Sequence, residues 1–223
     1  LYLNYIGVNS DKYSEEEEKY TDLLEKAPIF LFSKSMDDRI ERNKFLLPDG
    51  YIIDQNRYIE TLKSTTFGSF VFDWDQKIPI AHFVGVPSGI AFEVDVYSNI
   101  SKFFPRLNLV QLSTQYPDYI DAKFTSLGYH WFRIGDDAES ARKLKELNIN
   151  EGNALAPYTS IEDQLAYKYI LSLDGFKCAW LRVPWIMASN SVLIKTETDQ
   201  VEWFYNKIIP DVHYVSIKRD LSN

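Results

Sequence analysis

The sequence predicts an α/β protein whose larger part is a doubly wound parallel sheet. Three observations predict this. From Lys77 onward, short apolar runs of strand length alternate with segments of helical period. Several of the apolar runs close on Gly-, Asp- or Pro-containing turns, as in Gly85-Val86-Pro87-Ser88-Gly89 and Asp174-Gly175. The chain has 223 residues and is 45% hydrophobic, enough for one large core or two small ones.

The elements follow in order. Leu3–Val8 reads as a short strand and Glu15–Lys26 as a helix capped by Ser14. Glu15–Glu18 then fall in its first turn, where negative charge suits the dipole. Pro28 ends that helix and Ile29–Phe32 is strand-like. Lys34–Asn56 is polar, with a turn at Pro48-Asp49-Gly50, and reads as an irregular loop lining a site. Tyr58–Lys63 reads as a helix. Next come strand Ile78–Val86, helix Asn99–Tyr116, strand Ile120–Phe124 and helix Ala138–Leu147. Helix Ile161–Ala166 runs into strand Tyr169–Leu173, followed by helix Leu181–Ala188 and strand Ser191–Lys195. Val201–Ile208 reads as a helix and His213–Ile217 as a last strand. The expected domains are residues 1–75 and 76–223. Ligands of such sheets bind outside the carboxyl ends of the strands. Those ends are Gly85–Gly89, Phe124-Thr125, Asp174-Gly175, Lys195-Thr196 and Lys218-Arg219.

Composition excludes several classes. Lys plus Arg is 24 against 32 Asp plus Glu, a net charge of −8, which argues against a general nucleic-acid binder. The one cysteine, Cys178, excludes an internal disulfide framework and a cysteine-rich zinc site. No apolar run has the roughly 18 residues of a membrane span. No leader pattern is read, and the lone cysteine fits a reducing compartment, so the expected location is cytoplasmic.

Four constellations carry candidate chemistry. Asp73-Trp74-Asp75 could hold a divalent cation, or could be an acidic linker before the sheet. His82, His130 and His213 form no spaced metal pair and read as core or supporting histidines. Val86-Pro87-Ser88-Gly89 after a strand could cradle a phosphate, because Gly permits close backbone approach. Arg106 and Arg182 lie near helices that follow strand ends, where a guanidinium can neutralise a diphosphate or form a surface ion pair.

An ordered series of motifs narrows the reading. Pro28–Lys34 reads PIFLFSK, Lys77–Gly85 reads KIPIAHFVG and Arg106–Thr125 reads RLNLVQLSTQYPDYIDAKFT. Tyr167–Gly175, Leu181-Arg182, Ala188–Val192, Glu202–Tyr205, His213–Val215 and Lys218–Asn223 follow. Over roughly residues 28–223 this series resembles glycosyltransferase family 90. That is the capsule-associated-protein family of Rumi-type O-glucosyltransferases and fungal xylosyltransferases. The resemblance implies a GT-B-like fold of two Rossmann-like domains, the first reduced here. It also implies inverting transfer of xylose or glucose from a UDP-sugar to a hydroxyl, here of a glycan acceptor, with no metal and no cofactor. Such transfer needs a carboxylate base for the acceptor hydroxyl and positive charge or dipoles for departing UDP.

Carried over by position, Arg182 matches the arginine that faces the donor diphosphate. Gly85, Ser88 and Gly89 fall in the donor loop, and Asp121, Ala122 and Thr125 near the nucleotide pocket. Arg106, Asp174 and Gly175 stand at strand ends on the donor side, and Glu202 is a ribose or donor ligand. Ser189, Ser191 and His213 match family positions without an assigned contact. Three departures stand out. Val84 replaces the arginine of the family's F-R-G, and the Asp174–Arg182 segment is about one residue longer than the family pattern. The family's H-D-I base motif is absent after Ser33-Lys34, leaving Asp37, Asp38, Asp49 and Asp73 as candidate bases. An alternative is a non-catalytic sugar-nucleotide or glycan-binding module. A metal-dependent transferase using Asp73 and Asp75, and a phosphohydrolase, are further rivals.

Overall fold

The computed structural model describes residues 28–35, 44–90, 105–127, 132–133, 142, 144–146, 148–175 and 177–223. The expected strand Leu3–Val8 and helix Glu15–Lys26, with Ser14, lie outside the described residues, as do His130 and most of Ala138–Leu147.

Five strands form one parallel sheet: β4 (Ile78–Gly85), β6 (Ile120–Phe124), β8 (Tyr167–Ser172), β9 (Val192–Thr196) and β11 (Val215–Ile217). Their order is β11-β9-β8-β4-β6. The chain runs from β4 to β6 on one side, then recrosses to lay β8 on the other. The gap between β4 and β8 is therefore the point where winding reverses, the usual ligand crevice of an open sheet. The ladder confirms an opening there. β4 pairs β6 as far as Gly85↔Phe124, but its pairing with β8 ends at His82↔Ile170.

Period-2 alternation splits the buried residues between two faces. Phe83, Ala122, Phe124 and Leu171 face a core completed by Leu107 and Val110 of helix α3 (Pro105–Gln115). Ile170 and Leu193 face the opposite core, with Val183, Trp185 and Ile186 of helix α6 (Arg182–Met187). Helices on both faces make the sheet doubly wound, as the alternation predicts. The short helices α4 (Glu151–Ala154) and α5 (Ile161–Gln164) sit in the return from β6 to β8. The strand pair β5 (Gly89–Ile90) and β7 (Phe132–Arg133) lies outside the main sheet.

Three expectations need correction. Lys34–Asn56 is not one irregular loop. β1 (Ile29–Leu31) pairs in parallel with β3 (Lys44–Leu46), and β2 (Lys34–Ser35) pairs antiparallel with β10 (Gln200–Val201). Asp49 then starts the short helix α1 (Gly50–Ile53). The helix expected at Tyr58–Lys63 is α2 (Gln55–Val71), capped by the Asp54 side chain on the Arg57 amide. Its Ser-Thr-Thr run is a poor helix former, but packing overrides propensity. Gly68 lets α2 approach α5's end so closely that a Cβ there would stand 2.5 Å from Leu165 Cδ1. Finally, Val201–Ile208 is not a helix. Val201 ends strand β10, Glu202 turns inward, and only Tyr205–Lys207 form a 3-10 turn. The aromatic run Trp203-Phe204-Tyr205 holds itself by edge-to-face ring contacts.

Lys77 closes the amino edge of the sheet. Its buried ammonium donates to the Leu165 carbonyl and, at 2.8 Å, to Ser191 Oγ. Burial pulls its pKa down to about 8.

Candidate functional site

The site is built where β4 and β8 part. Beyond His82↔Ile170 the carbonyls of Val84, Leu171, Leu173 and Val86 have no ladder partners across the gap. Two guanidiniums fill it. Arg106 donates through Nε and Nη2 to the Leu173 carbonyl (3.1 and 2.6 Å) and through Nη1 to Val86 O (3.0 Å) and Ser88 Oγ (2.6 Å). Arg182 donates through Nε to Leu171 O (2.9 Å), Nη1 to Val84 O (3.2 Å) and Nη2 to Gln164 Oε1 (3.3 Å). Both lie over the Phe83 ring, 5.7 and 5.2 Å from its centroid. Burial lowers their pKa to about 10 and about 9, Arg106's charge adding to the fall at Arg182 while Asp174 supports Arg106, yet both remain cations at neutral pH. Among the described residues, Arg182 finds acceptors for three of the five N–H groups of its guanidinium and none for the other two.

The loop after β4 lies directly on the turn after β8. A Cβ on Gly175 would stand 2.1 Å from Ser88 Oγ and 3.3 Å from Ser88 O. Gly85 is likewise required, because a Cβ there would meet the Phe83 ring at 2.9 Å. Thr125, at the end of β6, donates its amide to Gly85 O at 2.8 Å. An open depression of about 660 Å³ adjoins Thr125, lined also by Ser126, Leu144, Asn148 and Asn150.

On the far side of Asp174 lies a buried polar cluster. Asp174 Oδ1 accepts from the Ala179 amide (3.1 Å), and Oδ2 faces Lys195 Nζ at 4.0 Å. Glu202 is 2% exposed, and Tyr205 Oη donates to its Oε1 at 3.4 Å. Desolvation, with the charges of Asp49 and Asp174, raises Glu202 to about 8, so it is mostly protonated at neutral pH. The same burial pushes Tyr205 upward and lifts Cys178 to about 12, leaving an inert thiol. Asp49, also 2% exposed, accepts from the Ile52 amide at 3.2 Å and caps α1.

The structure therefore brings together Gly85, Ser88, Arg106, Thr125, Asp174, Gly175, Arg182 and Glu202, with Asp49 near enough to act on Glu202's charge. Gly89 continues the same loop into β5. Other expected residues stand elsewhere. Asp73 and Asp75 are exposed before β4. That places them a strand length, roughly 25 Å, from the crevice. Ser189, Ser191 and His213 are also at the amino edge. Ser189 Oγ donates to Ile186 O, Ser191 Oγ to Tyr167 O, and His213 Nδ1 accepts from the Ile209 amide. In this structure their side chains fasten the fold. Asp121 lies mid-sheet, where His82 Nδ1 bonds it at 3.1 Å and Tyr167 Oη donates at 2.9 Å. These bonds, His82's foremost, hold its carboxyl below the usual range. Asp37 and Asp38 lie outside the described residues. Among the described residues no cluster of three His, Cys, Asp or Glu could hold a metal ion.

Sequence reasoning missed Lys195, Tyr205 and the opposition of Asp49 to Glu202. Lys195 was legible as a strand end. The rest depends on the β2–β10 pairing, which no local pattern signals.

A parallel sheet with a glycine-bearing loop, two guanidiniums and buried carboxyls at its reversal point defines a Rossmann-like ligand-binding α/β protein. The chain belongs to glycosyltransferase family 90, whose model matches residues 11–223. It is similar to human protein O-glucosyltransferase 3, 36% identical over 118 residues, covering 53% of this chain and 20% of that protein. It is also similar to uncharacterized protein 179R of invertebrate iridescent virus 6, 29% identical over 164 residues (70% of this chain, 14% of that protein). A third relative is O-glucosyltransferase LpsA of Dichelobacter nodosus, 35% identical over 80 residues (34% of this chain, 25% of that protein). The chain thus matches a quarter or less of these relatives' lengths. No helix among the described residues is long and apolar enough to cross a membrane.

Proposed function

We propose that this chain transfers a sugar from a UDP-sugar to a hydroxyl of a glycan acceptor, with inversion and without a metal ion. The single observation that carries this reading is the meeting of the Ser88 loop, the Asp174–Gly175 turn and Arg182 at the reversal point of the sheet. The family and the relatives named O-glucosyltransferases support it and favour glucose over xylose as the sugar.

In this reading the uncommitted N–H groups of Arg182 and the backbone of the Ser88 loop take up charge on the departing diphosphate. Arg106 has committed four of its five donors to the loop and to Leu173 at the end of β8, so it holds that backbone in place. The depression beside Thr125 has room for the nucleoside. Glu202, carrying its proton, can both donate to and accept from sugar hydroxyls. Asp49 is the candidate base among the described residues at this end of the sheet, and residues 1–75 supply the acceptor side. As base it would take the proton of the acceptor oxygen as that oxygen forms the new glycosidic bond and the bond to UDP breaks.

A second reading is a sugar-nucleotide-binding module without transfer. It is favoured by Arg182, three of whose donors are held by protein acceptors, and by Val84 in place of the family arginine. UDP release from UDP-glucose and UDP-xylose, measured with and without chelator beside UDP binding by calorimetry, separates the two. Chelator-insensitive release supports transfer. UDP binding without release, with or without a glycan acceptor panel, supports the module. No UDP binding overturns both.

A further inference from the structure

We propose that Trp180 and Phe32 form a stacking platform for a pyranose ring of the acceptor, an inference that rests on the transferase reading above. Trp180 has φ 49°, in the left-handed region that bulky residues rarely enter. Its neighbours impose this. The Ala179 amide is tied to Asp174 Oδ1 at 3.1 Å, and the Ala179 carbonyl accepts from the Arg182 amide at 3.1 Å. The chain must turn at position 180 between these fixed points.

The strain is not repaid by core packing. Neither Trp180 nor Phe32 belongs to either hydrophobic core. Instead the two rings meet edge to face, with centroids 6.2 Å apart and planes at 80°. Phe32 remains 44% exposed. The pair stands where the N-terminal segment meets the crevice. Phe32 precedes Ser33 and Lys34, Lys34 pairs with Val201, and Glu202 follows. Lys177 Nζ also reaches Gln200 Oε1 at 3.2 Å, drawing the Trp180 turn onto the same ribbon. Glu202 Oε2 is buried with no hydrogen-bond partner among the described residues.

This combination has a chemical meaning. A pyranose presents a flat patch of C–H groups on its face and hydroxyls at its rim. An open aromatic surface takes the first, and a carboxyl with an unused oxygen takes the second. An apolar peptide would use the rings but not the buried carboxyl.

Trp180→Gly tests the platform cleanly, because glycine adopts φ 49° without strain and the fold is expected to tolerate it. Saturation-transfer NMR with methyl β-glucoside, methyl β-xyloside, cellobiose and lactose, each with and without UDP, reads ring contact directly. The expected result is transfer to at least one probe in the parent protein. That signal falls at least fivefold in Trp180→Gly and persists in Trp180→Phe, while UDP affinity changes less than twofold. Equal signal in Trp180→Gly, or none from the parent with any probe, overturns the platform. Loss of UDP binding by the parent itself overturns the transferase reading instead.

Discussion

Ser88 Oγ occupies the place that a side chain on Gly175 would need, 2.1 Å from an ideal Cβ. The loop after β4 and the turn after β8 are thereby one surface. Gly175→Ala forces them apart, and the serine backbone at 3.3 Å limits how far a rotamer change can help. UDP affinity is expected to fall about tenfold, roughly 1.4 kcal/mol. Ser88→Gly in the Gly175→Ala background restores part of it. Calorimetric titration with UDP checks both; unchanged affinity in Gly175→Ala would show that this surface does not hold the donor.

Arg106 bridges the Leu173 and Val86 carbonyls where the sheet splays, and this makes it a stability determinant. Arg106→Met removes both guanidinium donors from Leu173 O and leaves Val86 O only the Ser88 amide at 2.7 Å, at a cost of about 2–3 kcal/mol. Arg106→Lys recovers little, because a point charge cannot span both carbonyls as the planar fork does. The shift in denaturant midpoint at constant slope measures the loss. A lysine variant as stable as the parent would contradict the bridging role.

The contrast between Arg182 and Asp73 shows how much of this was legible. Strand and helix alternation from Lys77 predicted the parallel sheet, its doubly wound character and the strand ends, and those ends brought Gly85, Ser88, Thr125, Asp174 and Arg182 together. Alternation is local, so it survives in sequence. What packing decides was not legible. Motif position cannot tell a residue that lines the crevice from one that fastens the opposite edge, as Ser189, Ser191 and His213 do. The α2 length was hidden by its Ser-Thr-Thr run, and Glu202's burial by an aromatic run that mimics a helix face.

Asp73 and Asp75 stand exposed at the amino edge, so a metal role for them has no geometric support. Asp73→Asn and Asp75→Asn, singly and together, are expected to leave UDP release within twofold of the parent. Chelator is expected to do the same. A tenfold drop in either experiment would require a cation at that pair and a different donor site.

Glu202 gives the protein a defined pH signature. Its carboxyl is raised in the folded state from its ordinary 4.5 to about 8, first by burial and then by the charges of Asp49 and Asp174. Between these values the unfolded chain releases the proton while the folded protein keeps it. The native state then binds more protons, so its stability falls as pH rises through that window. The contribution is fully present below pH 4.5 and lost once pH passes about 8. Asp121 works in the opposite sense, but its effect is lost only as pH falls below its ordinary 3.8, outside the window. Glu202→Gln keeps the shape and removes the proton. Its melting temperature is expected to fall less than the parent's between pH 5 and pH 8, and the gap between the two proteins to close by several degrees at pH 8. Parallel pH profiles for parent and variant would show that Glu202 is ionised in the folded protein and that its neighbours, Lys195 foremost, compensate it.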